Sequence, residues 1–304
     1  MLGIFLIVYK YNEFTPAQIV EMKGYFKNAD YFYINISLLI ALLGFLSRAY
    51  RWKFSLEHMG YKSRFHNNLM AVCVAYFMNL TIPRSGEISR AVILKKYEDI
   101  PFDKAFGTIV AERIVDLVLF LFFVSVAFIL QFKVLKDFIL AKIPLEKLII
   151  IGIAGFILGV IFLLIWMYSN WKIITTLKQK FSGLIEGMLS IVKMKDKWAF
   201  LFHSVFIWFT YFLMFYITIF ALDETSTIGV GAVVTAFVFG SLAIGFTNSG
   251  FGAYPLLVAE IFFLYGVPQT AGTAFGWLVW ISQTVLIVVL GGISFFFLPI
   301  LNKK

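Results

Sequence analysis

Charge is scarce in this chain. Charged residues fill 14% of its 304 positions, against about 25% in soluble domains, which excludes an ordinary water-solvated globular surface. Thiol and imidazole are scarcer still. Single Cys73 rules out an internal disulfide and a cysteine metal cluster, and His58, His66 and His203 lack a metal-site spacing and read as loop or interfacial residues. No cofactor is implied. No nucleotide-binding loop occurs, so ATP drive is not indicated. No nucleophile and base pair or metal set is recognisable, which makes an enzyme the least supported class. Residues 1–9 are apolar but have neither a basic n-region nor a small-residue cleavage site. They read as the remaining part of a first helix whose start is missing or very short.

Hydrophobic side chains, by contrast, make up 61% of the residues, in runs that reach the about 20 residues a bilayer crossing needs. The chain therefore reads as an all-α polytopic integral membrane protein, one integral domain over residues 1–304 with no space for a sizeable soluble catalytic module. Continuous spans are expected at 31–50, 105–130, 148–168, 200–222 and 271–298, about six with the N-terminal segment. Two more apolar stretches, 67–95 and 229–266, are interrupted, the first at 83–86 and the second across Asn248-Ser249-Gly250-Phe251-Gly252-Ala253-Tyr254-Pro255. Proline removes a backbone donor and glycine relaxes the chain, so each stretch reads as helix, break, helix. Irregular backbone at membrane depth survives only where protein or a wet cavity satisfies it. Both breaks therefore point to an internal cavity.

The net charge of +9 would suit nucleic acid in a soluble protein, but here it reads as topology and no nucleic-acid partner is expected. If both broken stretches are re-entrant hairpins, most of the 26 lysines and arginines, Arg48 and Arg51 included, fall on the side of the C-terminus. That side is then cytoplasmic. The stretch 133–147 is left as a basic external loop. Each hairpin sits between two spans, in opposite directions in the two halves, which is the pattern of an inverted repeat, although no residue-level repeat accompanies it. The lysine-rich stretch 171–198 reads either as an amphipathic surface helix holding anionic lipid or as a solvated loop.

A knot of charge interrupts the apolar pattern. Pro83-Arg84-Ser85-Gly86-Glu87-Ile88-Ser89-Arg90 lies at the first break, and Glu112-Arg113 with Asp116 opens the next span. A charge at bilayer depth costs about 2.5–3.5 kcal/mol, so these side chains should line a polar cavity or pair with one another. The combination of Arg84-Ser85-Gly86-Glu87 and Arg90 with Val110-Ala111-Glu112-Arg113 and Asp116 resembles the R-x-G-E…ER-x-x-D signature of the flippase-like family built on the transmembrane domain of lysylphosphatidylglycerol synthetases. Gly250-Phe251-Gly252-Ala253-Tyr254 resembles that family's second glycine-rich break. The resemblance implies a multi-spanning domain of the cytoplasmic membrane that translocates or handles lipid, without lysyl transfer, because the aminoacyl-transferase domain is absent. Many relatives carry a glutamate soon after the second break and some an arginine in the last span; this chain has Pro255, and residues 277–284 hold no arginine.

Arg84 and Arg90 are the leading candidates to grip a lipid phosphate, since guanidinium offers two parallel donors, with helix N-termini freed at the break adding backbone donors. Glu87, three residues from each, is placed to face both. Glu112 and Asp116 share a helix face, with Arg113 turned away. Either these groups form a head-group site, or they are a fixed network locking the first hairpin to the following helix. Glu260, the acid nearest the second break, faces either the same cavity or the external interface. Asn248 and Tyr254 could contact substrate or simply shape the turn. The function expected is translocation of a membrane phospholipid or polyprenyl-linked lipid. The competing reading is a non-transporting accessory protein for a glycosyltransferase or an envelope-assembly complex, with an envelope-synthesis enzyme as its partner.

Overall fold

The computed structural model describes residues 2–142, 145–169, 171, 175, 191 and 193–303. All regular structure among them is helical, with no strand. Short helices α1 (Leu2–Glu13) and α2 (Pro16–Asn28) precede the long α3 (Tyr31–His58). The first broken stretch forms α4 (Phe65–Thr81) and α5 (Ser85–Tyr97), followed by α6 (Phe102–Lys142) and α7 (Leu145–Tyr168). Then come α8 (Lys197–Thr218), the single turn α9 (Asp223–Ser226), the second broken pair α10 (Val230–Phe246) and α11 (Ala253–Leu264), and α12 (Gln269–Leu301).

Among the described residues four helical segments are long and apolar enough to cross a bilayer: α3, Phe102–Val134 of α6, Lys197–Ala221 and α12. The chain is thus a multi-pass membrane protein. The expected span 148–168 falls within α7, several of whose side chains lie outside the described set, as does most of the stretch 171–198. One expectation is corrected outright. Residues 133–142 are not loop but continue α6 past a kink at Gln131 (φ −120°, ψ 20°), because the sequence there carries no glycine or proline to stop the helix.

Local chemistry fixes the helix starts. Thr15 and Gln18 make a reciprocal capping box at α2, and the Asp30 carboxylate accepts from the Phe32 amide at 2.9 Å to open α3. At the first break Gly86 lies so close to the Ala75 carbonyl and the Asn79 side chain that a Cβ would collide with both. The second break turns through positive φ at Ser249, Gly250 and Gly252, a region glycine adopts without steric cost.

The packing repeats itself. Opening helices α3 and α8 pack against each other; α6 packs on α5, the return arm of its own hairpin, and on α10 of the other; α12 packs on α11 and on α4 in the same way. The hairpin tips touch, with the Asn248 amide donating to the Leu80 carbonyl (3.0 Å) and the Ser249 hydroxyl to the Asn79 carbonyl (2.9 Å). The largest apolar core is aromatic and lies around α10, α11 and α12, with Phe215, Phe262 and Phe275 fully buried.

Candidate functional site

Among the described residues, the ion pairs buried in the interior all come from the first half of the chain. Glu112 and Asp116, one turn apart on α6, are buried against α3, where they meet Arg48 and Arg51. Arg51 donates to Asp116 at 2.8 Å, to the Ser204 hydroxyl of α8 at 3.1 Å and to Glu112 at 3.4 Å. Arg90, from α5, donates to Glu112 at 3.1 Å while its guanidinium lies 3.9 Å from the centroid of the Trp52 ring. The Trp52 indole is itself held by Thr108 of α6 at 2.9 Å. Arg51, Arg90 and Glu112 are sealed from solvent and do not line the cavity. They form the lock between the first hairpin, α3 and α6.

The other side of the cluster faces a cavity of about 800 Å³ between the two hairpins. Arg48, Arg84, Glu87, Arg113 and Asp116 line it. Arg113 reaches Glu87 at 3.1 Å and Asp116 at 3.3 Å, with 43% of its side chain exposed. Glu87 therefore pairs with Arg113 across the helices and not with Arg84 or Arg90, its neighbours on α5. Arg84 is exposed, sits in the left-handed region (φ 61°) as it opens α5, and makes no ion pair among the described residues. Arg48 is 3% exposed and donates from Nη2 to Asp116 at 3.3 Å, but its Nε and Nη1 find no acceptor. Its guanidinium carbon lies 5.8 Å from the ring centroids of both Tyr76 and Tyr211, whose hydroxyls are hydrogen bonded to each other at 2.6 Å.

The second half gives the cavity no ion. Asn248 and Tyr254 line it, as do Ser241, Thr247, Gln283 and Thr284, with Trp208 from α8 and Trp280 from α12. The Trp280 indole donates to the Ser249 carbonyl at 2.8 Å and holds the second tip in place. The Trp208 indole nitrogen is buried without a partner. Glu260 lies elsewhere: it pairs with Lys10 of α1 at 3.1 Å and accepts from the Gln269 amide, away from the cavity. No group of His, Cys, Asp and Glu among the described residues is arranged to hold a metal ion.

Of the residues expected from the sequence, the structure brings Arg84, Glu87, Arg113, Asp116, Asn248 and Tyr254 to one cavity but buries Arg90, expected to grip phosphate, and Glu112 behind it, while Arg48 and Arg51 were not among the site residues expected. Those two were counted as loop charges. Their signal was the i, i+3 spacing inside an apolar helix, which puts both on one face. A separate polar clamp closes the base of the first hairpin: Arg64 pairs with Glu98 at 3.0 Å and donates to the Tyr97 carbonyl at 2.9 Å, while Asn67 and Asn302 bond each other through both amide groups. The start of α4, the end of α5 and the end of α12 are therefore at one end of the molecule.

Comparison with known proteins adds a family to this geometry. The family described as lysylphosphatidylglycerol synthase TM region matches residues 2–291. A UPF0104 membrane protein of Methanocaldococcus jannaschii is 26% identical over 294 residues, which cover 86% of this chain and 83% of that protein. A UPF0104 membrane protein of Pyrococcus horikoshii is 26% identical over 145 residues, 46% of this chain and 41% of that one. No solved structure matches the chain.

Proposed function

The chain belongs to the family of the lysylphosphatidylglycerol synthase transmembrane region, and from that premise we propose that it is a flippase-like protein of the cytoplasmic membrane. It takes the phosphate head group of a phospholipid or polyprenyl-linked lipid into the cavity and passes it between leaflets. The observation that carries this reading is the cavity of about 800 Å³, bordered by guanidinium donors that no protein acceptor uses. Cavities of about 300–1,000 Å³ suit small ligands, so a head group fits while its chains remain in the bilayer. Ile244 and Phe246 on the cavity wall are also strongly exposed, Phe246 to 82%, which provides apolar surface where those chains leave.

The repeated packing supports an inverted repeat of two re-entrant hairpins whose tips meet at the midplane. The clamp at the base of the first hairpin gathers Lys62, Arg64, Lys95, Lys96 and Lys303 toward one end, and positive charge favours the cytoplasmic side. The C-terminus is then cytoplasmic. Movement of one half against the other exposes the cavity to each side in turn, and the two hydrogen bonds between the tips are the contacts it must break.

Reconstituted vesicles test this reading. With fluorescent phosphatidylglycerol and a membrane-impermeant quencher, protein should extend quenching from the outer-leaflet fraction to the whole lipid pool, and Arg84→Ala and Arg113→Ala should slow it. Quenching no faster than in empty vesicles overturns transport. Lipid retention without transfer would instead favour the accessory role, in which the protein presents a lipid carrier to an envelope-synthesis enzyme.

A further inference from the structure

The cavity is polarised, and its polarity selects a kind of head group. The first half's wall carries Arg48, Arg84 and Arg113, against only two carboxylates, Glu87 and Asp116. Neither carboxylate is free. Asp116 accepts from Arg48, Arg51 and Arg113, and Glu87 is engaged by Arg113. The donors that remain unused are Nε and Nη1 of the buried Arg48, the indole N–H of Trp208 and the whole guanidinium of Arg84. The ring faces of Tyr76 and Tyr211 already lie beside Arg48, so they offer a cation no open aromatic cage.

The second half's wall is uncharged. Ser241 and Thr247 spend their hydroxyl protons on the carbonyls one turn back, Phe237 and Ala243, which leaves their oxygens as acceptors. Asn248 spends an amide proton on Leu80 and keeps its oxygen. These groups accept from and donate to hydroxyls, but none carries the negative charge that would hold an ammonium group near three guanidiniums.

Resting on the lipid head-group reading above, we infer that the substrate is an anionic phosphate lipid whose head bears hydroxyls and no ammonium group. A glycerol or sugar phosphate attached to the lipid fits; an aminoacyl or ethanolamine phosphate does not. The phosphate takes the free donors of Arg48 and Arg84, and its hydroxylated part reaches Asn248 and Gln283.

Competition in native mass spectrometry tests this on the full chain in detergent. The probes are short-chain phosphatidylglycerol, its lysyl ester and phosphatidylethanolamine, with glycerol 3-phosphate and inorganic phosphate as soluble counterparts. Phosphatidylglycerol should be retained at least ~10-fold over the lysyl ester and the ethanolamine lipid, the factor that about one lost charge-assisted contact gives. Arg48→Gln should cut its retention by a similar ~10-fold, and Gln283→Glu, which adds a carboxylate to the uncharged second-half wall, should move preference toward the lysyl ester. The soluble phosphates should compete only at far higher concentration. Retention of the lysyl ester as strong as that of phosphatidylglycerol overturns the inference while leaving a head-group site intact. Soluble glycerol 3-phosphate competing on equal terms overturns the lipid assignment. If wild type, Arg48→Gln and Arg84→Ala all carry the same bulk lipid mixture, the head-group reading itself fails.

Discussion

The two halves of this protein pack alike and differ in chemistry. Each sets an opening helix beside its counterpart, a broken hairpin beside a closing helix, and that closing helix against the other half's first arm. The first half buries Arg48, Arg51, Arg90, Glu112 and Asp116 and sets the exposed Arg113 beside them; the second fills the corresponding region with aromatic rings, hydroxyls and amides. The second half's nearest acid, Glu260, is tied to Lys10 outside the cavity. Since one half holds the arrangement without ions, the arrangement does not itself require them. Buried ion pairs seldom add net stability over well-packed apolar groups. Their retention in one half argues for a ligand, and under the proposed function that ligand meets the cavity face of the cluster and not its sealed lock.

The lock offers the largest break in this comparison. Glu112 is fully buried and accepts from both Arg90 and Arg51. Glu112→Ala leaves Arg90 charged, sealed and without its carboxylate, and should cost about 3–5 kcal/mol in thermal unfolding of the detergent-solubilised protein. The double variant Arg90→Met, Glu112→Leu makes the first half resemble the second and should recover most of that loss. No recovery would mean that the ion pair, beyond filling space, specifies the first half's packing.

The sequence carried the two breaks and the charge knot because each violates a local rule: proline and glycine inside an apolar run, and ionised groups where lipid is expected. It did not carry the pairing. Glu87 lies on its own helix between Arg84 and Arg90 yet meets Arg113 of α6, since α5 and α6 pack side by side and bring that partner closer than any helical neighbour. Arg48 and Arg51, near the end of an apolar span, were counted with the basic residues of the inner side, as topology suggests for such positions. Only the contact of α3 with α6 and α8 turns them inward. The kink at Gln131 and the helix beyond it were invisible because basic residues signal a loop by topology but are good helix formers by propensity.

The meeting of the tips sharpens the comparison at intermediate cost. Trp280→Phe leaves the Ser249 carbonyl without its indole donor, and Ser249→Ala removes the bond to the Asn79 carbonyl; each should lower stability by about 0.5–1.5 kcal/mol. If the tips are where the halves part, Ser249→Ala should also raise the rate of leaflet transfer, because less must be broken to open the cavity. A slower rate would instead assign the tip to holding the substrate.

The smallest structural effect separates site from scaffold most cleanly. Arg113 is 43% exposed, and its bonds to Glu87 and Asp116 are shared with solvent, where such pairs contribute about 0–1 kcal/mol. Arg113→Ala should therefore leave the unfolding temperature nearly where it was. It also frees Glu87 and leaves Asp116 to Arg48 and Arg51, which turns the cavity's excess of positive charge toward neutrality. Binding of an anionic lipid should fall while that of an ammonium lipid rises, in the same titration and with the fold intact. A purely structural cluster would give the opposite record: stability lost, and no change in which lipid is held.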